Sequence, residues 1–199
     1  MPAPFHGNEF CERRLNSWEI KAMSIIDEIL NRHSYRGKYK PDLVPREDLF
    51  KIMEAGLAAP SGCNTQTTSL IAVDDPELLA KLRVIINKRV GDSAPAMICV
   101  LTQRIPSYHG RCFAVQDYSA AIENMLLAIV ALGYQSCWVE GYVTDADNKG
   151  YQMAQVLGVP DDYELVCYLP VGVAETEPVG PKKKDMQERA WFNYYKNEQ

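Results

Sequence analysis

The chain has 199 residues, 47% of them hydrophobic and 24% charged, which suits one soluble globular domain with a sizeable core. A formal net charge of −5 argues against a protein that grips nucleic acid through a basic face, and the longest apolar run, Met125 to Leu132, is too short to span a bilayer. The first residues lack the basic start and apolar core of a secretory leader, so the expected setting is the cytoplasm.

Residues 1–16 mix Pro, Gly and charge and read as an N-terminal arm, ahead of a single domain over residues 17–199. Over residues 18–30, Ile20, Met23, Ile26, Ile29 and Leu30 recur at helical spacing, with Ser17 as N-cap. The segment Arg32-His33-Ser34-Tyr35-Arg36 follows, and Gly37 and Pro41 prevent the helix from continuing. A second helix is predicted to open near Pro45, where Glu47 and Asp48 suit the positive end of its dipole. Its apolar stripe, Leu49, Ile52, Met53 and Leu57, stops before Pro60, and a turn-rich run from Ala59 to Gln66 comes next.

Residues 67–73 are rich in β-formers and predict a strand, after which Asp75-Pro76 opens a helix to about residue 88. The continuous apolar run 96–101 suits a strand covered on both faces. Residues 103–113 read as a polar loop. The strongest helical pattern is Val115, Tyr118, Ile122, Met125, Ile129 and Leu132, ended by Gly133. Strands are expected at 136–140 and 164–171, with a helix over 147–157 between them. Residues 180–199 carry Lys182-Lys183-Lys184 and then Trp191, Phe192, Tyr194 and Tyr195. This alternation predicts an α+β or three-layer α/β domain around a sheet of about four or five strands.

Two segments carry candidate chemistry. Arg32 and Arg36 offer planar forks of donors that suit phosphate oxygens, beside the Ser34 hydroxyl. The same cations would also complement the dipole at a helix end. Pro60, Ser61, Gly62, Asn64 and Gln66 put hydrogen-bonding side chains and an open backbone close together, as a flat heterocycle would need; an ordinary turn uses the same residues. Lys182 to Lys184 alone reads as an exposed run. Cys63 lies inside the loop and is either a small space-filler or, with a cationic neighbour, a reactive thiol.

The six cysteines show no CxxC spacing and the three histidines no HxxxH pair, so no metal site is expected. There is no GxSxG elbow, no GxxxxGK[ST] loop and no GxGxxG fingerprint. A nicotinamide, if one is used, must therefore come and go as a diffusible substrate.

Taken in order, these segments resemble the FMN-dependent nitroreductase family over most of residues 18–185. The shared features are Arg32-His33-Ser34-Tyr35-Arg36, Ala59 to Gln66, Ala94-Pro95-Ala96, and the helix from Asp117 through Asn124 to Leu132-Gly133-Tyr134. Ser136-Cys137-Trp138-Val139-Glu140-Gly141, Leu169-Pro170-Val171-Gly172 and the late basic segment complete the order. The resemblance implies a nitroreductase-like three-layer α/β/α sandwich with a mostly antiparallel sheet and a C-terminal arm, residues 180–199, swapped across a homodimer. It implies FMN at the dimer interface, each site drawing on both chains, with residues 115–132 as the central helix.

The resemblance also assigns roles. Arg32, His33, Ser34 and Arg36 would hold the phosphate and ribityl end, with Lys182 or Lys184 completing the phosphate site. Pro60, Ser61, Asn64 and Gln66 would face the ribityl chain and ring edge. Trp138, Glu140 and Gly141 would lie beside the ring, the Gly141 N–H donating to its N5. The cofactor carries the redox chemistry, so no side chain is expected to be catalytic. The implied reaction passes hydride from NADH or NADPH through the flavin to a nitroaromatic, quinone or similar planar acceptor. A flavin-cleaving or dehalogenating relative, or a non-catalytic FMN-binding module, are the alternatives on the same fold. Where many members follow Asn-x-Gln with Pro-Trp, this chain has Thr67-Thr68, and its 74–94 segment is short.

Overall fold

Every residue of strand β2, Ala96–Thr102, is buried, and the chain is built outward from it. The computed structural model describes residues 25–87, 89–142 and 144–196, so the arm expected over 1–16, Ser17 and the start of the first helix lie outside the described residues. Within them the elements run α1 Ile25–Asn31, α2 Arg46–Leu57, β1 Thr68–Val73, α3 Pro76–Ile86, β2, α4 Ala114–Ala131, β3 Val139–Glu140, α5 Lys149–Leu157 and β4 Glu164–Val171. The sheet is antiparallel throughout, in the order β1-β2-β4-β3.

Strand alternation divides β2 between two cores. Ala96, Ile98 and Val100 face α2 and α4, packing on Leu49, Ile52, Ile122, Met125 and Ile129. Met97, Cys99 and Leu101 face α3 and α5, packing on Leu79, Leu82, Ile86 and Met153. A sheet with helices on both faces is the expected three-layer sandwich. The caps follow from sequence: the Asp75 carboxylate accepts from Leu78 N–H at 2.7 Å, and Asn87 and Gly158 end α3 and α5 in left-handed conformations.

Two elements differ from expectation. The strand predicted over 136–140 is only two residues long, its approach held instead by a single bridge between Gln135 and Gly172. Pro170 of β4, which would face Cys137 in this register, has no N–H to give the ladder, so pairing lapses over 136–138. Against β2, β4 passes from Val100↔Cys167 to Leu101↔Leu165 and leaves Val166 as an extra residue. Loop 103–113 contains one 3₁₀ turn, Tyr108–Gly110. No helix among the described residues is long and apolar enough to cross a membrane.

Just past β3 the backbones approach closely. A Cβ on Gly150 would fall 2.1 Å from the Leu165 carbonyl oxygen, and one on Gly141 would fall 2.7 Å from the same atom. Neither neighbour can yield, because both clashes are with backbone. Gly150→Ala is therefore expected to lower stability by about 2 kcal/mol or more, read as a reduced urea midpoint at unchanged m value.

Candidate functional site

The segment that carries Arg32 to Arg36 is clamped from two sides. Tyr35 N–H donates to the Ser136 carbonyl at 2.8 Å, while Lys40 N–H donates to Val173 O and Glu175 N–H to Lys38 O, each at 2.9 Å. Tyr35 and Tyr39, in edge-to-face contact, are buried beneath it. His33 and Ser34 are half-buried and Arg36 is exposed. Further along, the chain returns to this place: a Cβ on Gly180 would lie 3.0 Å from His33 Nδ1. Lys182 and Lys184, both exposed, leave from that contact, so the late lysines and the early arginines share one neighbourhood.

Arg32 is not a free cation here. Its Nε lies 3.0 Å from Glu123 Oε1 on α4. That contact is an ion pair without hydrogen-bond geometry, since Arg32 Nε is buried without a hydrogen-bond partner, and it leaves the guanidinium donors for an anion.

The 60–66 loop is built on the first turn of the same helix. Asp117, only 4% exposed, accepts from Gly62 N–H through Oδ1 and from the Thr67 hydroxyl through Oδ2, both at 2.8 Å. One carboxylate thus ties together the two ends of the loop. Inside it Cys63, Asn64 and Gln66 have φ of 53°, 55° and 49°, a left-handed path that L residues adopt only when their surroundings impose it. Ser61 Oγ accepts from Gln66 N–H at 3.0 Å, so Ser61 shapes the loop. Asn64 and Gln66 are exposed and Pro60 caps the entry. Gly62 has no room for a side chain, since a Cβ would lie 2.7 Å from the Phe113 side chain.

Thr67, the departure from Pro, now has a structural reason: a proline has no hydroxyl to give Asp117. Asp117, Thr67 and Phe113 form no motif, and only the fold brings them together. Cys63 is exposed.

At the ring-facing strand one expectation is corrected. The Gly141 N–H, expected to meet N5, donates instead to Val166 O at 2.9 Å. Successive N–H groups in a strand point to opposite sides, and β3 is the sheet edge, so the Glu140 N–H is the one that faces outward. Trp138 packs edge-on against Tyr118, with ring centroids 6.4 Å apart. Partial burial pushes the Glu140 carboxyl above its ordinary value, with the Trp138 indole N–H pulling the other way. Beyond Glu140 a cavity of about 610 Å³ opens.

These residues fit a phosphate-bearing heterocycle. Ser136 Oγ is buried without a partner beside the clamp, the Glu140 N–H is a free edge donor, and arginine and lysine donors gather at the other end. Among the described residues no group of His, Cys, Asp and Glu is arranged to hold a metal ion. The anchors of the Arg32 segment and of the 60–66 loop on α4, Glu123 and Asp117, stand about 9 Å apart along the axis and about 120° apart around it.

Thr67→Val would leave Asp117 Oδ2 buried without its donor. A loss of about 1–3 kcal/mol is expected in urea unfolding, with Thr67→Ser retaining most of the stability.

Known proteins resemble this chain over most of its length. The profile of the nitroreductase family matches residues 29–90 and 84–173. An Archaeoglobus fulgidus protein with the provisional name NADH dehydrogenase/NAD(P)H nitroreductase is 30% identical over 75% of this chain and 84% of its own length. Human iodotyrosine deiodinase 1 is 25% identical over 91% of this chain and 71% of its own. An FMN-dependent nitroreductase from Clostridium difficile R20291 superposes with a TM-score of 0.72 at 27% identity, covering 85% of this chain and 99% of that one. With the family profile covering most of the chain and the sandwich shared with solved relatives, this protein belongs to the nitroreductase family.

Proposed function

We propose that the protein is an FMN-dependent oxidoreductase that takes hydride from NADH or NADPH and passes electrons to a nitroaromatic, quinone or similar planar acceptor. The observation that carries this reading is the meeting of the Arg32–Arg36 segment with the Gly180 end of the lysine segment beside Ser136, four residues before the free Glu140 N–H. Four residues reach at most about 14 Å, a span that suits a phosphate at one end and a ring at the other. The names of the Archaeoglobus and Clostridium relatives support the nicotinamide and the FMN respectively.

Within this reading Arg32, Arg36 and Lys182 or Lys184 hold the phosphate, with His33 and Ser34 beside them. Trp138 and Glu140 border the ring, and Glu140 N–H donates to its edge. The bound flavin supplies hydride acceptance and electron donation. The protein supplies position, a dry wall of Trp138 and Tyr118, and a fixed donor where charge gathers.

Pro60, Ser61, Asn64 and Gln66 face a second copy of the site. The angular offset on α4 supports this, since one chain turns its clamp and its loop to different sides of that helix. Four apolar side chains of α1 (Ile25, Ile26, Ile29 and Leu30) are exposed in the single chain, as are Phe192, Tyr194 and Tyr195 of the C-terminal arm. A homodimer would cover them.

The likeness to iodotyrosine deiodinase keeps reductive dehalogenation as a second reading. The segment between β1 and β2 speaks for the first. It is largely α3, whose Leu79, Leu82 and Ile86 are buried against the sheet, leaving no long lid.

Arg32→Ala and Arg36→Ala are each expected to weaken FMN binding at least about tenfold in fluorescence titration, from lost charge-assisted hydrogen bonds. The loaded wild type is expected to bleach under anaerobic NADH or NADPH and recover colour with menadione. Undiminished FMN affinity in both variants, or no bleaching with either nucleotide, would sink the reading.

A further inference from the structure

The 610 Å³ cavity lies at the open edge of the sheet beyond Glu140 and draws walls from both helical layers. Tyr118 comes from α4 on one face, Tyr151 from α5 on the other, and Tyr142 and Tyr163 from the flanking turns. Its volume is that of a small-molecule site, and four tyrosines present rings and phenol groups to whatever enters. Glu140 and Tyr118 are shared with the residues placed around the flavin.

The charges in this cavity are unbalanced. Arg104, the one cation lining it among the described residues, is bound in a fork by Glu164, with Nε to Oε1 at 3.0 Å and Nη2 to Oε2 at 2.9 Å. That leaves Glu140 and Asp161 on the wall, neither with a cationic partner among the described residues. The Tyr118 phenol is held above its ordinary value, first by burial and then by Glu140 and Glu164 carboxylates that oppose Arg104.

We propose that this cleft is the acceptor site and that it takes planar aromatic compounds that are cationic or neutral while rejecting anionic ones. Tyrosine faces attract cations, and two unpaired carboxylates repel a third. The acceptor role rests on the flavin reading; the preference in binding does not.

Calorimetric titration of the purified protein with benzyltrimethylammonium, benzamide and benzoate separates the two. Benzyltrimethylammonium is expected to bind at least about tenfold more tightly than benzoate, a gap near 1.4 kcal/mol. Asp161→Lys should narrow that gap at least about threefold while leaving benzamide within about twofold, and Tyr151→Leu should weaken both non-anionic ligands. Equal or tighter benzoate binding, or a gap unmoved by Asp161→Lys, overturns the proposal.

In the FMN-loaded protein, (4-nitrobenzyl)trimethylammonium and 4-nitrobenzoate are then compared as acceptors. A KM ratio that follows the binding ratio, and shifts with Asp161→Lys, supports the acceptor role. A ratio indifferent to Asp161→Lys removes that role even if the cleft binds. Failure to take up FMN would overturn the flavin reading and leave the calorimetric result to stand or fall by itself.

Discussion

Val166 is the residue that β2 cannot pair, and the geometry of the functional edge depends on how its carbonyl is satisfied. The extra residue bends β4 just where β3 would otherwise continue beside it. Gly141 N–H takes the Val166 carbonyl, Gly150 N–H takes the Gly141 carbonyl at 2.6 Å, and both glycines lie against Leu165 O. Any side chain at either position would push the returning chain off the sheet. Beyond the Gly141–Val166 contact the chain turns away, and the outer edge of β3 has no neighbouring strand. The Glu140 N–H faces outward on that edge, and the cavity opens beyond it.

A second constraint works at the other end of the site. Asp117 is a buried carboxylate whose two oxygens are each given one donor, so its desolvation is offset by two hydrogen bonds. Those bonds do more than balance the charge. Three residues with positive φ between the tied ends would relax to ordinary backbone in a free loop. The carboxylate holds them, and Asn64 and Gln66 stay turned outward. Thr67 fits this arrangement better than proline would, since the interaction needs a hydroxyl at the mouth of β1.

How much of this was legible in the sequence depends on the range of the interaction. Periodicity located α2, α3, α4, α5 and the two central strands to within a residue or two, because burying one stripe or face demands it. The arginine segment and the loop were visible as donor-rich local runs. The assignment of the N5 donor to Gly141 failed because which N–H groups face outward depends on the register of β3 against β4, a pairing between residues more than twenty positions apart. Asp117 was visible only as part of a helix, since its partners Gly62 and Thr67 lie 55 and 50 residues away. The cleft residues, from Arg104 to Val166, share no spacing at all; topology alone assembles them.

Charge is distributed along β3 in a way that bears on catalysis. Arg32, Arg36 and the lysines gather at the Ser136 end, while Glu140, Asp161 and Glu164 gather at the other. With an overall charge of −5, the basic end is a local exception, and on the proposed reading a phosphate would be drawn to it from an otherwise repelling surface. A ping-pong enzyme must admit two different molecules to one ring. A dinucleotide carries its negative charges on phosphates remote from the reacting carbon, and those can extend toward the basic end. An acceptor has no such tail, and a charge on its own ring enters the acidic end directly. On the proposed reading, the same dipolar layout that tolerates an anionic donor would discriminate among acceptors, and it would do so through side-chain charge rather than through redox groups.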